Sequence, residues 1–209
     1  MPEMSEASAT EWRDGFLFLG NHLALYFINT RPWLNGRAQE FLSDWPALLG
    51  WFRAAELIDS RQASMLETSA ESQKALKTLE AMRGFRERLR KELLAWEDGR
   101  PVGRKLLQEL NEWMSQHPML TRVRSDQGTF TQERWFLLEE PNDLFAPLAE
   151  AAANLFSALD RRRVRKCEHC VLHFHDTSKV GTRRWCSMRF CGNRAKVAAY
   201  AARHSSAAE

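Results

Sequence analysis

The chain has 209 residues, 44% of them apolar and eight of them tryptophan, enough to bury one sizeable core with a smaller satellite. Its net charge of +3 is unevenly spread: between Arg161 and His204 twelve Lys or Arg oppose only Glu168 and Asp176, a net of +10, which leaves −7 for the remainder. No run of about eighteen apolar residues occurs, which excludes a membrane-spanning helix, and the acidic, small-residue start from Met1 to Thr10 has none of the marks of a secretory leader. A cytoplasmic chain with reduced thiols is therefore expected.

In chain order, Phe16-Leu17-Phe18-Leu19 reads as a short strand, broken by Gly20-Asn21, and His22 to Thr30 as a buried helix. Asp44-Trp45-Pro46 is a helix start, with Leu48, Leu49, Trp51, Phe52 and Ala55 on one face, and Asp59-x-x-Gln62 starts another. From Lys74 the positions Leu76, Leu79, Met82, Phe85, Leu89, Leu93 and Trp96 recur three or four apart, which predicts one stripe along a long amphipathic helix. Gly99 and Pro101 separate it from the next, whose apolar face is Val102, Leu106, Leu107, Leu110, Trp113 and Met114. Met119 to Leu138 changes character: β-favouring residues surround Ser125-Asp126-Gln127-Gly128, as in two strands joined by a turn. Pro141 to Leu159 returns to helix, with Pro147 tolerable in its first turn. The expected fold is mainly α: a multihelical N-terminal domain with a small β-hairpin, then a small C-terminal module that holds all four cysteines and ends in a helix.

All four cysteines fall in the last 43 residues, as Cys167-x2-Cys170-x15-Cys186-x4-Cys191. Two residues between paired thiolates let one tight turn aim both sulfurs at a single ion, so these four are the expected ligands of one structural Zn2+. His169, His173 and His175 lie nearby and stand as outer residues, since four cysteines already complete a tetrahedron. Cys191 precedes an alanine-rich segment from Gly192 to Arg203 with good helix propensity. A helix N-terminus there would stabilise its thiolate.

Cys-x2-Cys, Phe174-x-Asp176-x-Ser178 and Arg183-Arg184-Trp185-Cys186-Ser187-Met188-x2-Cys191-Gly192-Asn193-Arg194-x-Lys196 together resemble the CGNR zinc finger family. Leu19-Gly20, Leu23-Ala24-Leu25-x-Phe27-x-Asn29-Thr30 and Pro46-x-Leu48-Leu49-x-Trp51 are similar to the ABATE domain that usually precedes this finger. Asn21 stands where that domain often has a second glycine, and Tyr26 where it usually has an acidic residue. The resemblance implies a stress-induced transcriptional regulator, not an enzyme, whose N-terminal domain senses or transmits and whose finger binds DNA. The domains expected are a disordered residues 1–10, an ABATE-like 11–160, a finger over 161–204 and a disordered tail, 205–209.

The concentrated positive charge makes double-stranded DNA the expected partner, with Arg163, Arg165, Lys166, Arg183, Arg184, Arg189, Arg194, Lys196 and Arg203 as candidate contacts. The competing reading is a zinc-dependent RNA-binding or protein-interaction module. Asn29 and Thr30 are the weaker candidates for lining a pocket that takes a small-molecule signal. A homodimer would extend the short readout of a single finger. No Gly-rich phosphate loop and no hydrolase constellation is present.

Overall fold

The computed structural model describes residues 11–34, 37–68, 73–193, 196–197 and 200, so Arg194, Arg203 and the two chain ends expected to be disordered lie outside the described residues. Two compact units result: one joins the N-terminal segment up to Phe41 with the chain from Asp160 onward, and the other runs from Leu42 to Leu159. The sequence-based division at residue 160 separates the finger from a segment that the contacts place with it.

The N-terminal segment begins with strands β1 (Trp12–Arg13) and β2 (Phe16–Leu17), paired antiparallel through the left-handed Asp14-Gly15 turn. Helix α1 (Leu23–Ile28) follows, its first turn capped by His22, whose ring nitrogen accepts from the Ala24 amide at 3.3 Å. Strands β3 (Trp33–Leu34) and β4 (Arg37–Ala38) form a second short antiparallel pair. Gly20 has φ +137°, and a Cβ there would lie 2.8 Å from the Leu25 Cβ and 3.2 Å from the His173 carbonyl. Asn21 has φ +59°, in the left-handed region that asparagine tolerates better than most residues, which explains its standing beside Gly20 without a second glycine.

The larger unit starts with α2 (Trp45–Ala54), where the Asp44 carboxylate accepts from the Ala47 amide at 2.8 Å as an N-cap. The helix closes on Glu56 at φ +60°, with Glu56 N–H donating to the Arg53 carbonyl and Leu57 N–H to that of Phe52. Asp59 and Gln62 form a capping box on α3 (Ser60–Glu67). Helix α4 (Gln73–Glu97) buries Ala75, Thr78, Leu79, Met82, Phe85, Arg86, Leu89 and Leu93. Leu76, expected in that stripe, is 52% exposed, because the buried face at this end runs through its neighbours Ala75 and Thr78.

Helix α5 (Arg104–Gln116) begins three residues beyond Pro101 and buries Leu106 and Leu110, while Leu107 turns outward. Strands β5 (Met119–Asp126) and β6 (Thr129–Phe136) pair along their whole length. Both turn residues, Gln127 at φ +46° and Gly128 at φ +84°, are left-handed, which matches the twist of a two-residue hairpin. Helix α6 (Phe145–Ala158) completes the unit, with Pro147 in its first turn. Its Phe145 ring lies flat on Trp113 at 3.8 Å between centroids, in a core that also buries Trp45, Trp51, Phe52 and Phe85. Among the described residues no helix is long and apolar enough to cross a membrane.

Candidate metal centre and nucleic-acid face

The chain re-enters the smaller unit through a 3-10 turn at Arg161–Arg163 and then forms an antiparallel pair, β7 (Val164–Lys166) with β8 (His173–His175). Between these strands the Cys167-Glu168-His169-Cys170 knuckle is closed by the Cys167 amide donating to the Leu172 carbonyl at 2.8 Å. The other half of the site is a loop and a helical coil. The Glu168 amide donates to the Arg184 carbonyl, docking the loop beside the knuckle. Ser187 caps the coil Met188–Gly192 by accepting from the Arg189 and Phe190 amides. The coil thus starts at Met188, and Cys191 lies inside it, not immediately before it as the alanine-rich segment suggested. A Cβ at Gly192 would lie 2.7 Å from the sulfur of the flexible, exposed Met188 side chain, which would have to swing aside.

All four Sγ atoms lie within 4.8 Å of one another, and among the described residues no other cluster of three or more potential ligands occurs. Cys170 and Cys186 are 3.7 Å apart, far beyond a disulfide bond length of about 2.05 Å. That spacing matches the edge of about 3.8 Å expected for a tetrahedron of sulfurs about 2.3 Å from zinc. Cys167, Cys186 and Cys191 are buried and Cys170 is half-buried. The thiols act on one another: contacts from Cys170, Cys186 and Cys191 lower the Cys167 thiol, whereas those with Cys167, Cys170 and Cys191 push Cys186 up. Four such sulfurs cannot all ionise without positive charge between them. The donor set fits zinc, and the four cysteines hold one structural zinc ion with every tetrahedral position taken by protein. None of the three nearby histidines is in the ligand group.

Buried apolar side chains surround the sulfurs, and they come from both ends of the chain. Leu17, Leu19 and Phe41 share one cluster with Leu172, Phe174 and the cysteines, while Leu34 and Trp185 pack against it. Asn29 ties the two segments together. Its amide nitrogen donates to the Leu19 carbonyl at 2.6 Å and the His173 carbonyl at 2.8 Å, and its Oδ1 accepts from the His173 amide at 3.0 Å. The His175 amide donates to the Gly20 carbonyl at 2.8 Å, and the Asn21 side chain donates to the His175 carbonyl at 3.1 Å. Asn29 and Thr30 are both fully buried, the Thr30 hydroxyl donating to the Phe27 carbonyl. The polar groups expected to line a pocket therefore face the interior of the zinc unit. Asn21, Asn29 and Gly20 as partners of the metal loop are what residue spacing did not reveal. Only the shared Leu-Gly…Asn-Thr pattern hinted at a constraint there.

The candidate cations separate into two groups. Arg163 donates to the carbonyls of Asp176 and Ser178, Arg165 to those of Arg162 and Gly181, and Arg183 to those of Trp185 and Cys186, with its guanidinium 4.9 Å from the Phe174 ring centre. These three are half-buried and pin the loops that carry the ligands. The Asp176 carboxylate joins them: burial works to raise its pKa, but donation from Ser178 and the Arg183 amide holds it below its ordinary value. Lys166, Arg184, Arg189 and Lys196 are exposed. Arg184 pairs with Glu168 and lies 5.5 Å from the Trp185 ring centre.

Two family models match this sequence. The one described as "CGNR zinc finger" covers residues 163–204, and the ABATE model, described as "Putative stress-induced transcription regulator", covers residues 21–159. No curated protein matches.

Proposed function

We propose that this chain, which belongs to the ABATE family and carries a CGNR zinc finger, regulates transcription by binding double-stranded DNA through its zinc unit. The observation that carries the reading is the division of charge. The zinc unit has fifteen Lys or Arg against nine Asp or Glu, a net of +6, while the Leu42–Leu159 unit is at −3. A polyanion is drawn to the first and not to the second. In this reading Lys166, Arg184, Arg189 and Lys196, with Arg194 and Arg203, contact phosphates or bases. Arg163, Arg165 and Arg183 act one step back, by fixing the loops on which those contacts stand.

Zinc has no catalytic part in this account, because a site closed by four thiolates offers no position to water or substrate. The larger unit receives the signal. Its candidate site is a cleft of about 760 Å³ lined by Ile58, Arg122, Arg124, Glu133, Trp135 and Leu138, among others. Titration of the zinc-loaded protein with random-sequence duplex, with Arg184→Ala and Cys186→Ala in parallel, tests the reading. Arg184→Ala should weaken binding about uniformly across sequences and make the salt dependence shallower by about one phosphate. Binding of single-stranded RNA in preference to duplex DNA would replace this reading with the RNA alternative.

A further inference from the structure

Trp33 is 55% exposed, in a unit whose other tryptophans, Trp12 and Trp185, pack against the zinc cluster. It lies in β3, directly opposite Ala38 of β4, so its cross-strand neighbour is too small to cover the indole. The adjacent residue Leu34 faces the other way and packs against the zinc cluster, as the alternation of a strand requires. Phe41, just beyond β4, is buried in that same cluster, and its amide donates to the Thr30 carbonyl at 3.0 Å. Thr30 follows Asn29, whose side chain grips the metal loop through His173. The β3–β4 pair is thus fastened to the zinc core on one face and presents a tryptophan on the other. Exposed Arg31 lies two residues before it in sequence, and exposed Arg37 stands across the hairpin from Leu34.

We infer that Trp33 is a second nucleic-acid contact, outside the CGNR finger, which stacks on an unpaired or unstacked base while the finger's cations hold the phosphates. The inference rests on the DNA-binding reading above. The segment from residue 11 to 41 carries three Arg and three acidic residues, so it contributes no net charge to the encounter. What Trp33 adds is a planar aromatic face, which every base can meet and which discriminates little among sequences. Large side chains that enter an opened base step serve the same purpose in duplex DNA. A contact of this kind changes affinity without changing the number of counterions released.

The test uses the full-length zinc-loaded protein, its Trp33→Ala and Trp33→Phe variants, and two duplexes that differ by one unpaired 2-aminopurine. Wild type should prefer the duplex with the unpaired base by about 5- to 100-fold and quench its fluorescence. Trp33→Ala should lose preference and quenching, with zinc content and salt slope unchanged, whereas Trp33→Phe should keep most of both. If wild type and Trp33→Ala bind both duplexes equally well, the stacking contact is wrong and the DNA-binding reading survives. If zinc-loaded wild type binds neither, the reading itself fails and the stacking contact falls with it.

Discussion

Replacing Asn29 by alanine removes one side-chain amide and leaves three buried backbone groups without their partner: the carbonyls of Leu19 and His173 and the amide of His173. An unsatisfied buried polar group costs about 1–3 kcal/mol, less where water can reach it. Three such groups place the loss at about 3–5 kcal/mol for the zinc unit. The loss should also appear in metal binding, because in small metal-held modules the binding energy is folding energy. At about 1.4 kcal/mol per tenfold, the chain's zinc affinity should fall on the order of 100- to 4,000-fold. Competition with a chromophoric zinc chelator on full-length wild type and Asn29→Ala measures it directly. An Asn29→Ala chain that keeps wild-type zinc affinity and an unchanged melting curve would refute the argument that the N-terminal segment completes the metal centre.

Cys186→Ala should abolish stoichiometric zinc and unfold the zinc unit, read by metal analysis and near-UV dichroism; retained zinc at one ion per chain would contradict the ligand assignment. Glu56→Gly should stabilise the larger unit by about 1 kcal/mol, since a non-glycine residue at φ +60° carries a steric cost that glycine avoids; a lower urea midpoint would oppose this. Asp143 has its carboxyl held below its ordinary 3.8: burial works to raise it, but donation from the Glu140 and Glu139 amides and the His117 ring prevails. Its ionised form therefore favours folding above about pH 4, and that stabilisation fades as pH falls through the lowered value. Asp143→Asn should flatten the loss of urea resistance between pH 5 and pH 2, and an unchanged profile would remove Asp143 from the account.

Much of the larger unit is legible in local pattern. Asp44 and Asp59 mark their helix starts because a capping carboxylate acts within three residues. Gln127-Gly128 marks its hairpin because the turn itself demands left-handed residues. The four cysteines are equally plain, since zinc dictates their chemistry and the knuckle its two-residue spacing. Leu76 misleads because three-or-four spacing fixes a stripe only to within one position, and small Ala75 with Thr78 occupies the closer approach. The partnership of Asn29 with His173 spans 144 positions and leaves no periodicity to read. Arg163, Arg165 and Arg183 resemble any surface cations in sequence. A guanidinium aimed at a carbonyl of its own module has no compositional mark, so only coordinates distinguish scaffold arginines from those left exposed.

The central claim is that a zinc unit built from both ends of the chain binds duplex DNA electrostatically. Fluorescence anisotropy of zinc-loaded full-length protein on a random duplex, repeated across a range of salt concentrations, tests it most directly. Four to six neutralised phosphates predict a log–log slope of about −4 to −5, lost when the metal is chelated. A flat salt dependence, or binding that survives removal of zinc, would contradict the account.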